Sequence, residues 1–146
     1  MSETQDVCTA KGLHHVAIAV KDIHDTLKFY QEVFGVGPAK VEDVPDQRVL
    51  GALIKVGGAH LEIIQPTDEE SGVARFVLSR GEGVHHICFE VEDIQGKLDL
   101  LTSKGFQMID TKARPGLSGM IGFIHPRSTR GVLIELAEPP AQATAS

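Results

Sequence analysis

The most constraining feature of the chain is a tandem repeat of one strand pattern. Residues 13–23 read LHHVAIAVKDI and residues 84–94 read VHHICFEVEDI, so a double histidine opens each apolar strand and recurs 71 positions later. A second pattern also repeats, because HLEIIQP at 60–66 and LIELAEP at 133–139 each carry a glutamate four residues before a proline. The chain is therefore predicted to build two equivalent modules.

Local periodicity predicts the same elements in each module. Strand side chains alternate between faces, which places His15 and His86 on the face opposite the bulky apolar residues. Asp22 and Asp93 follow these strands as predicted helix N-caps. The predicted helices carry Ile23, Leu27, Tyr30 and Phe34 before Gly35, and Ile94, Leu98 and Leu101 before Gly105. Three further strands are predicted in each module: about 38–43, 48–56 and 60–65, then 107–111, 120–125 and 131–137.

These elements define an α+β fold of two tandem β-α-β-β-β modules. We expect one domain over residues 12–139, with module 1 at about 12–67 and module 2 at about 83–139, because 146 residues suffice for one shared core. Apolar residues at helical spacing predict a short connecting helix at about 71–80. Residues 1–11 and 140–146 are expected to be flexible termini.

Composition excludes several classes of function. A net charge of −6 and a pI near 5.6 argue against a nucleic-acid partner, which favours a basic surface. No apolar run approaches the roughly 20 residues of a membrane span, and residues 1–11 are polar and acidic, unlike a signal peptide. We therefore expect a soluble cytoplasmic protein with no membrane partner, in which Cys8 and Cys88 are reduced.

The repeated histidines and glutamates predict a metal site. Each glutamate sits in an otherwise apolar strand, where an unpaired charge would cost several kcal/mol. A divalent cation would compensate both charges, with Co²⁺ the leading expectation and Ni²⁺, Mn²⁺ or Zn²⁺ as alternatives. Two surface-facing glutamates on half-exposed strands are the structural alternative. The predicted ligands are His15, Glu62, His86 and Glu135.

The remaining histidines are interpreted as non-ligands. His14 and His85 precede the proposed ligands, so alternation points them to the opposite face, where a structural role is expected. His24 and His60 have no counterpart in the other half of the chain, and we expect them to be solvated.

Three segments resemble a known family. They are VHHICFEVEDI, then PTDEESGVARFVLSRGEG at 66–83, then GFIHPRSTRGVLIEL at 122–136. Over about 12–139 the chain resembles the vicinal-oxygen-chelate superfamily, and within it the methylmalonyl-CoA epimerases. The resemblance implies a cupped mixed sheet around one metal, ligated by the four residues above, and a homodimer. Glu62 replaces a glutamine found in some members, which adds one negative charge to the site.

The resemblance implies epimerisation at C2 of methylmalonyl-CoA. A metal chelated by the substrate would act as a Lewis acid and stabilise the enolate formed when the C2 proton leaves. Glu135 is the candidate for one of the two proton-transfer groups, and pure ligation is its alternative role. Some epimerases carry a second glutamate where this chain has Gly51. Lys55, His125 or a metal-bound water are open substitutes.

An acyl-CoA substrate would need cations for its phosphates. Basic residues cluster around glycine-rich turns in an otherwise acidic chain, and they could donate charge-assisted hydrogen bonds to phosphate oxygens. Charges that serve only solubility are the alternative interpretation. These residues are Lys112, Arg114, Arg127 and Arg130. Residues 114–119 are expected to form a substrate-facing loop or a plain connector.

Several other functions compete with the epimerase. A lactoylglutathione lyase uses the same type of four-ligand set to move a proton in a glutathione hemithioacetal, and a related metal-dependent isomerase is an alternative of the same kind. A ring-cleaving dioxygenase would need an iron site of two histidines and one carboxylate, so Glu62 as a fourth ligand argues against it. From a different class, some proteins of this fold are metal-free binders that sequester drugs such as bleomycin.

Overall fold

The computed structural model describes residues 7–141 and contains the two predicted modules. In module 1 the elements are β1 (Gly12–Ala19), α1 (Ile23–Phe34), β2 (Glu42–Val44), β3 (Val49–Val56) and β4 (Ala59–Pro66). Helix α2 (Gly72–Arg80) follows. In module 2 they are β5 (Gly83–Glu90), α3 (Ile94–Ser103), β6 (Arg114–Gly116), β7 (Gly119–Ile124), a 3₁₀ turn (Pro126–Ser128) and β8 (Ile134–Glu138). The predicted α+β class is confirmed.

The described chain divides into two compact units whose boundaries differ from those of the modules. One unit is His15–His86, and the other joins residues 87–141 to the segment that ends at His14. Strands β1 and β5 both cross the boundary, so each unit contains part of both strands. The single domain over 12–139 stays a prediction, and the predicted flexible termini fall partly on residues 1–6 and 142–146, outside the described residues.

In the first unit the strand order is β2-β3-β4-β1, with β1 parallel to β4 and the other pairs antiparallel. Gly57 occupies the tight β3–β4 turn with φ +58°, a conformation that costs glycine little. The apolar side of α1 contributes Ile23 to a core that includes Ile54 and Ile63, all at most 1% exposed. This packing holds α1 against β3 and β4.

In the second unit the order is β5-β8-β7-β6, again with one parallel pair, β5 with β8. Both units therefore have the mixed pairing that was predicted. Helix α3 packs its predicted apolar face onto the sheet, and Ile94, Leu98 and Leu101 are all buried with Ile124 and Leu136.

Helices α1 and α3 both begin where the sequence predicts. Asp22 accepts a hydrogen bond from the Asp25 amide, and Asp93 accepts one from the Gly96 amide. The last strand of each module adds a second cap to the helix of its own module. Gln65 accepts from the Ile23 amide, and Glu138 accepts from the amides of both Asp93 and Ile94. Each helix start is thus tied to the strand that carries the repeated glutamate.

One predicted strand, 107–111, is wrong. Only an isolated bridge between Met108 and Ile124 forms there. The Asp110 carboxylate accepts from the Phe123 amide at 2.9 Å and pairs with the Arg114 guanidinium at 2.9 Å. The side chain thus takes the place of a backbone partner, and the ladder stops. The edge strand is β6 instead, so residues 114–116 are not the loop that was expected.

Candidate metal centre

Strands β1, β4 and β5 bring three of the predicted ligands together within the unit His15–His86. His15, Glu62 and His86 are 0%, 5% and 2% exposed. Glu62 lies between Ala17 of β1 and Leu53 of β3 in the strand register.

The donor atoms of these three side chains converge. The Nε2 atoms of His15 and His86 are 3.3 Å apart, and Glu62 Oε1 lies 3.5 Å from the first and 3.6 Å from the second. The two imidazole rings meet edge to face, with centroids 5.4 Å apart. Three buried side chains therefore direct their potential metal-ligating atoms at one shared position.

The separations fit one divalent ion. Two ligand atoms each about 2.1 Å from a metal and about 109° apart lie about 3.4 Å from each other, close to the spacings found here. Two imidazoles and a carboxylate also form a donor set that suits borderline transition metals such as Co²⁺, Ni²⁺ and Zn²⁺. A buried carboxylate is costly without a positive partner, so a cation would also stabilise Glu62 in place.

Glu135 occupies the corresponding position in the second unit. It is 2% exposed, and it lies beside Cys88 of β5 and Phe123 of β7 in register. Glu62 lies beside Ala17 in the same way, and Ala17 and Cys88 are the same step of the 71-residue repeat. The strand context of the repeated glutamates is thus equivalent, whereas their common ligation stays a prediction.

His85 departs from its predicted place. It was expected to point away from the ligand that follows it, yet its Nδ1 atom lies 2.8 Å from Nδ1 of His86. Its ring also meets the Phe76 ring edge to face, with centroids 4.9 Å apart. The pair of adjacent histidines was the sequence feature that could have indicated this contact. The assumption of strict strand alternation instead placed the His85 ring on the opposite face.

The positions considered for the second proton-transfer group, and the two histidines expected to be solvated, differ in exposure. Gly51 is buried in β3, whereas Lys55 at the end of the same strand is exposed. The Nδ1 atom of His125 accepts from the Arg127 amide. His24 is exposed as predicted, and His60 is half-buried in β4, less solvated than expected.

The four basic residues predicted to contact the CoA phosphates differ in solvent exposure. Lys112, Arg127 and Arg130 are exposed, while the half-buried Arg114 is held by Asp110 and by the Phe123 ring, 5.8 Å from its guanidinium carbon. Both cysteines are free thiols.

Within residues 7–141 no helix is both long and apolar enough to cross a membrane.

Comparison with known families decides the relationship. Residues 14–123 match the family described as the Glyoxalase/Bleomycin resistance protein/Dioxygenase superfamily. The chain belongs to this superfamily. The predicted vicinal-oxygen-chelate membership and the glyoxalase-like fold are thereby confirmed.

Several members resemble the chain over most of its length. It is 40% identical to the uncharacterized protein YqjC of Bacillus subtilis, across 87% of this chain and 91% of that protein. It is 33% identical to an ethylmalonyl-CoA/methylmalonyl-CoA epimerase of Cereibacter sphaeroides, across 86% and 96% of the two chains. A Streptomyces coelicolor methylmalonyl-CoA epimerase, solved with 2-nitronate-propionyl-CoA, superposes with a TM-score of 0.87 at 31% identity, across 91% and 97%. Epimerases of malonyl-type thioesters are thus among the similar proteins.

Proposed function

We propose that the protein is a metal-dependent epimerase that inverts C2 of methylmalonyl-CoA. The observation that carries this proposal is the buried cluster of His15, Glu62 and His86, whose donor atoms lie 3.3–3.6 Å apart, in a chain similar to such epimerases. We propose Glu135 as the fourth ligand, supported by its burial and by its equivalent place in the repeat. Co²⁺ is the proposed ion, with Ni²⁺, Mn²⁺ or Zn²⁺ as substitutes.

The substrate chemistry suits this set of residues. The C2 proton lies between a thioester and a carboxylate, so its removal places negative charge on oxygen. A bound divalent ion supplies a Lewis acid for that charge. His15, His86 and Glu62 have no function in this scheme except to hold the ion, since their three donor atoms face one another in a buried position.

Proton transfer is assigned to Glu135 on one face of C2. A carboxylate held next to C2 can take up the proton and return it. On the other face the chain has Gly51 in place of an acid. Lys55, His125 or water remain the candidates there, and the Nδ1 atom of His125 is already used in a hydrogen bond to the Arg127 amide.

For the CoA phosphates we propose Lys112, Arg127 and Arg130, which are exposed and able to donate to phosphate oxygens. Arg114 is a weaker candidate because Asp110 binds its guanidinium at 2.9 Å. The homodimer implied by the family resemblance stays a prediction that sedimentation velocity tests.

The deciding experiment follows one epimer of methylmalonyl-CoA in D₂O with Co²⁺-loaded protein. We expect deuterium to enter C2 while the two epimers equilibrate. Glu135→Gln is expected to slow both by about 10²- to 10⁴-fold, whereas Glu32→Gln, a change at an exposed carboxylate on α1, is expected to slow neither. A metal-loaded wild-type protein that neither exchanges nor epimerises would contradict the proposal, and the glutathione hemithioacetal would be assayed next. A protein that takes up no metal would favour the metal-free binder.

A further inference from the structure

His85 contacts a proposed ligand on the side away from the metal position. The Nε2 atom of His86 faces Glu62 and His15, while its Nδ1 atom lies 2.8 Å from Nδ1 of His85. A separation of 2.8 Å between two nitrogens is a hydrogen bond, so one ring donates and the other accepts.

Ligation through Nε2 decides the direction of this bond. A neutral imidazole carries one N–H and one lone pair, and a metal takes the lone pair. If Nε2 of His86 binds the ion, its proton must sit on Nδ1, and that N–H donates to Nδ1 of His85. His85 must then carry its own proton on Nε2.

We propose that His85 is a positioning residue for the metal centre: its Nδ1 lone pair accepts from His86 and fixes the tautomer and ring orientation in which His86 binds the ion. The proposal rests on the metal site of the proposed function. Metal-bound histidines almost always donate their other N–H to an acceptor, here supplied by a neighbouring histidine rather than by a carboxylate or a carbonyl.

The surroundings of His85 are suited to hold its ring. Phe76 of α2 meets it edge to face at 4.9 Å, and the Arg80 guanidinium lies over the Phe76 ring at 5.4 Å. Phe76 also packs against the core that contains Val73. Helix α2 is anchored in turn by the buried Ser71, which accepts from the Ala74 amide. A packed aromatic contact therefore restricts rotation of the accepting ring.

The test compares two substitutions of His85. His85→Phe keeps a flat ring against Phe76 but removes the acceptor, whereas His85→Asn places an amide oxygen near the lost Nδ1. We expect His85→Phe to weaken Co²⁺ binding about 10- to 100-fold in a chelator competition and to alter the visible spectrum of bound Co²⁺. His85→Asn should restore most of both, and the exposed-site control His24→Phe should change neither.

Two outcomes would overturn the proposal: wild-type affinity in His85→Phe, or equal losses in His85→Phe and His85→Asn. Thermal unfolding of the metal-free variants shows whether either change prevents folding. In that event ¹⁵N NMR of Zn²⁺-loaded wild type decides, since the proposal requires a protonated Nε2 and a bare Nδ1 on His85. The reverse tautomer would contradict it. A wild-type protein that binds no Co²⁺ would instead contradict the proposed function.

Discussion

The last strand of each module caps its own helix, but with different chemistry. In module 1 the neutral Gln65 accepts one hydrogen bond, from the Ile23 amide. In module 2 the charged Glu138 accepts two, from the amides of Asp93 and Ile94, and a negative charge at a helix N-terminus is additionally favourable. The repeat thus preserves positions and partners while the strength of individual interactions diverges.

The two helices differ in packing as well. Helix α3 buries Leu98 completely, together with Ile94 and Leu101. Helix α1 buries only Ile23 fully, and it leaves Phe29, Val33 and Phe34 between 50% and 63% exposed. The two modules are therefore equivalent in architecture and unequal in how much stability each helix contributes.

The largest difference is expected between the repeated glutamates. Glu135→Gln should lower epimerase turnover by about 10²- to 10⁴-fold, the usual contribution of a general acid or base. Glu62→Gln should cost much less, because the glutamine amide oxygen can still ligate the ion. Steady-state kinetics with bound metal quantified in each variant measures both. Equal losses at unchanged metal content would show that the modules share the proton-transfer role.

Next in size is the contribution of the two helix cores. Leu98→Ala should lower the free energy of unfolding by about 2–5 kcal/mol, because Leu98 is fully buried and its loss leaves a cavity. Leu27→Ala at the half-buried position of α1 should cost about 1–2 kcal/mol. Urea denaturation followed by circular dichroism compares them. A larger loss for Leu27 would mean that its exposed neighbours on α1 are covered in solution.

Removing a helix cap should lower the free energy of unfolding less than removing a core side chain, and the loss should be larger for the cap of α3 than for that of α1. Glu138→Ala removes a charged acceptor of two amides. A hydrogen bond to a charged group contributes about 1.5–3 kcal/mol to stability. Gln65→Ala removes one neutral bond, worth about 0.5–1.5 kcal/mol. The same denaturation assay ranks them, with Glu92→Ala, at an exposed residue, as the control. A reversed order would refute the importance of charge at α3.

The smallest effect concerns the two thiols. Burial raises the pKa of the Cys8 thiol above its ordinary value, and the nearby Lys97 and Lys104 lower it only in part. Since the thiolate is the nucleophile, Cys8 should react slowly with iodoacetamide near pH 8, and its rate should rise at higher pH than that of an exposed thiol. Cys88, with no exposed surface, should stay unmodified in the native protein. Peptide mass spectrometry over a pH series resolves the two sites, and a rate profile for Cys8 like that of a free thiol would contradict the effect of burial.

Much of the fold could be predicted because its determinants are local. Period-two strands and aspartate caps each depend on a few neighbouring residues, and the predicted elements around them are confirmed. The surroundings of Phe34 did not follow from its helical spacing. It is 63% exposed at the end of α1, where its ring contacts the rings of Phe29 and Tyr30.

Predictions that depended on tertiary contacts succeeded less often. The strand at 107–111 stops because Asp110 binds Phe123 and Arg114, two partners outside that segment. The two histidines and Glu62 could be predicted to meet because the repeat pairs equivalent strands. The hydrogen bond between His85 and His86 could not, since it depends on ring rotation that strand periodicity does not specify.

The division of the chain into units has a consequence for synthesis on the ribosome. The unit His15–His86 is continuous, so all of its residues are available before module 2 has been translated. The other unit needs the segment before His15 together with residues from 87 onward, as in the backbone bond from Lys11 to Glu90. The segment before His15 must therefore wait for residues of module 2, and we expect the second unit to complete its folding only after module 2 has been translated.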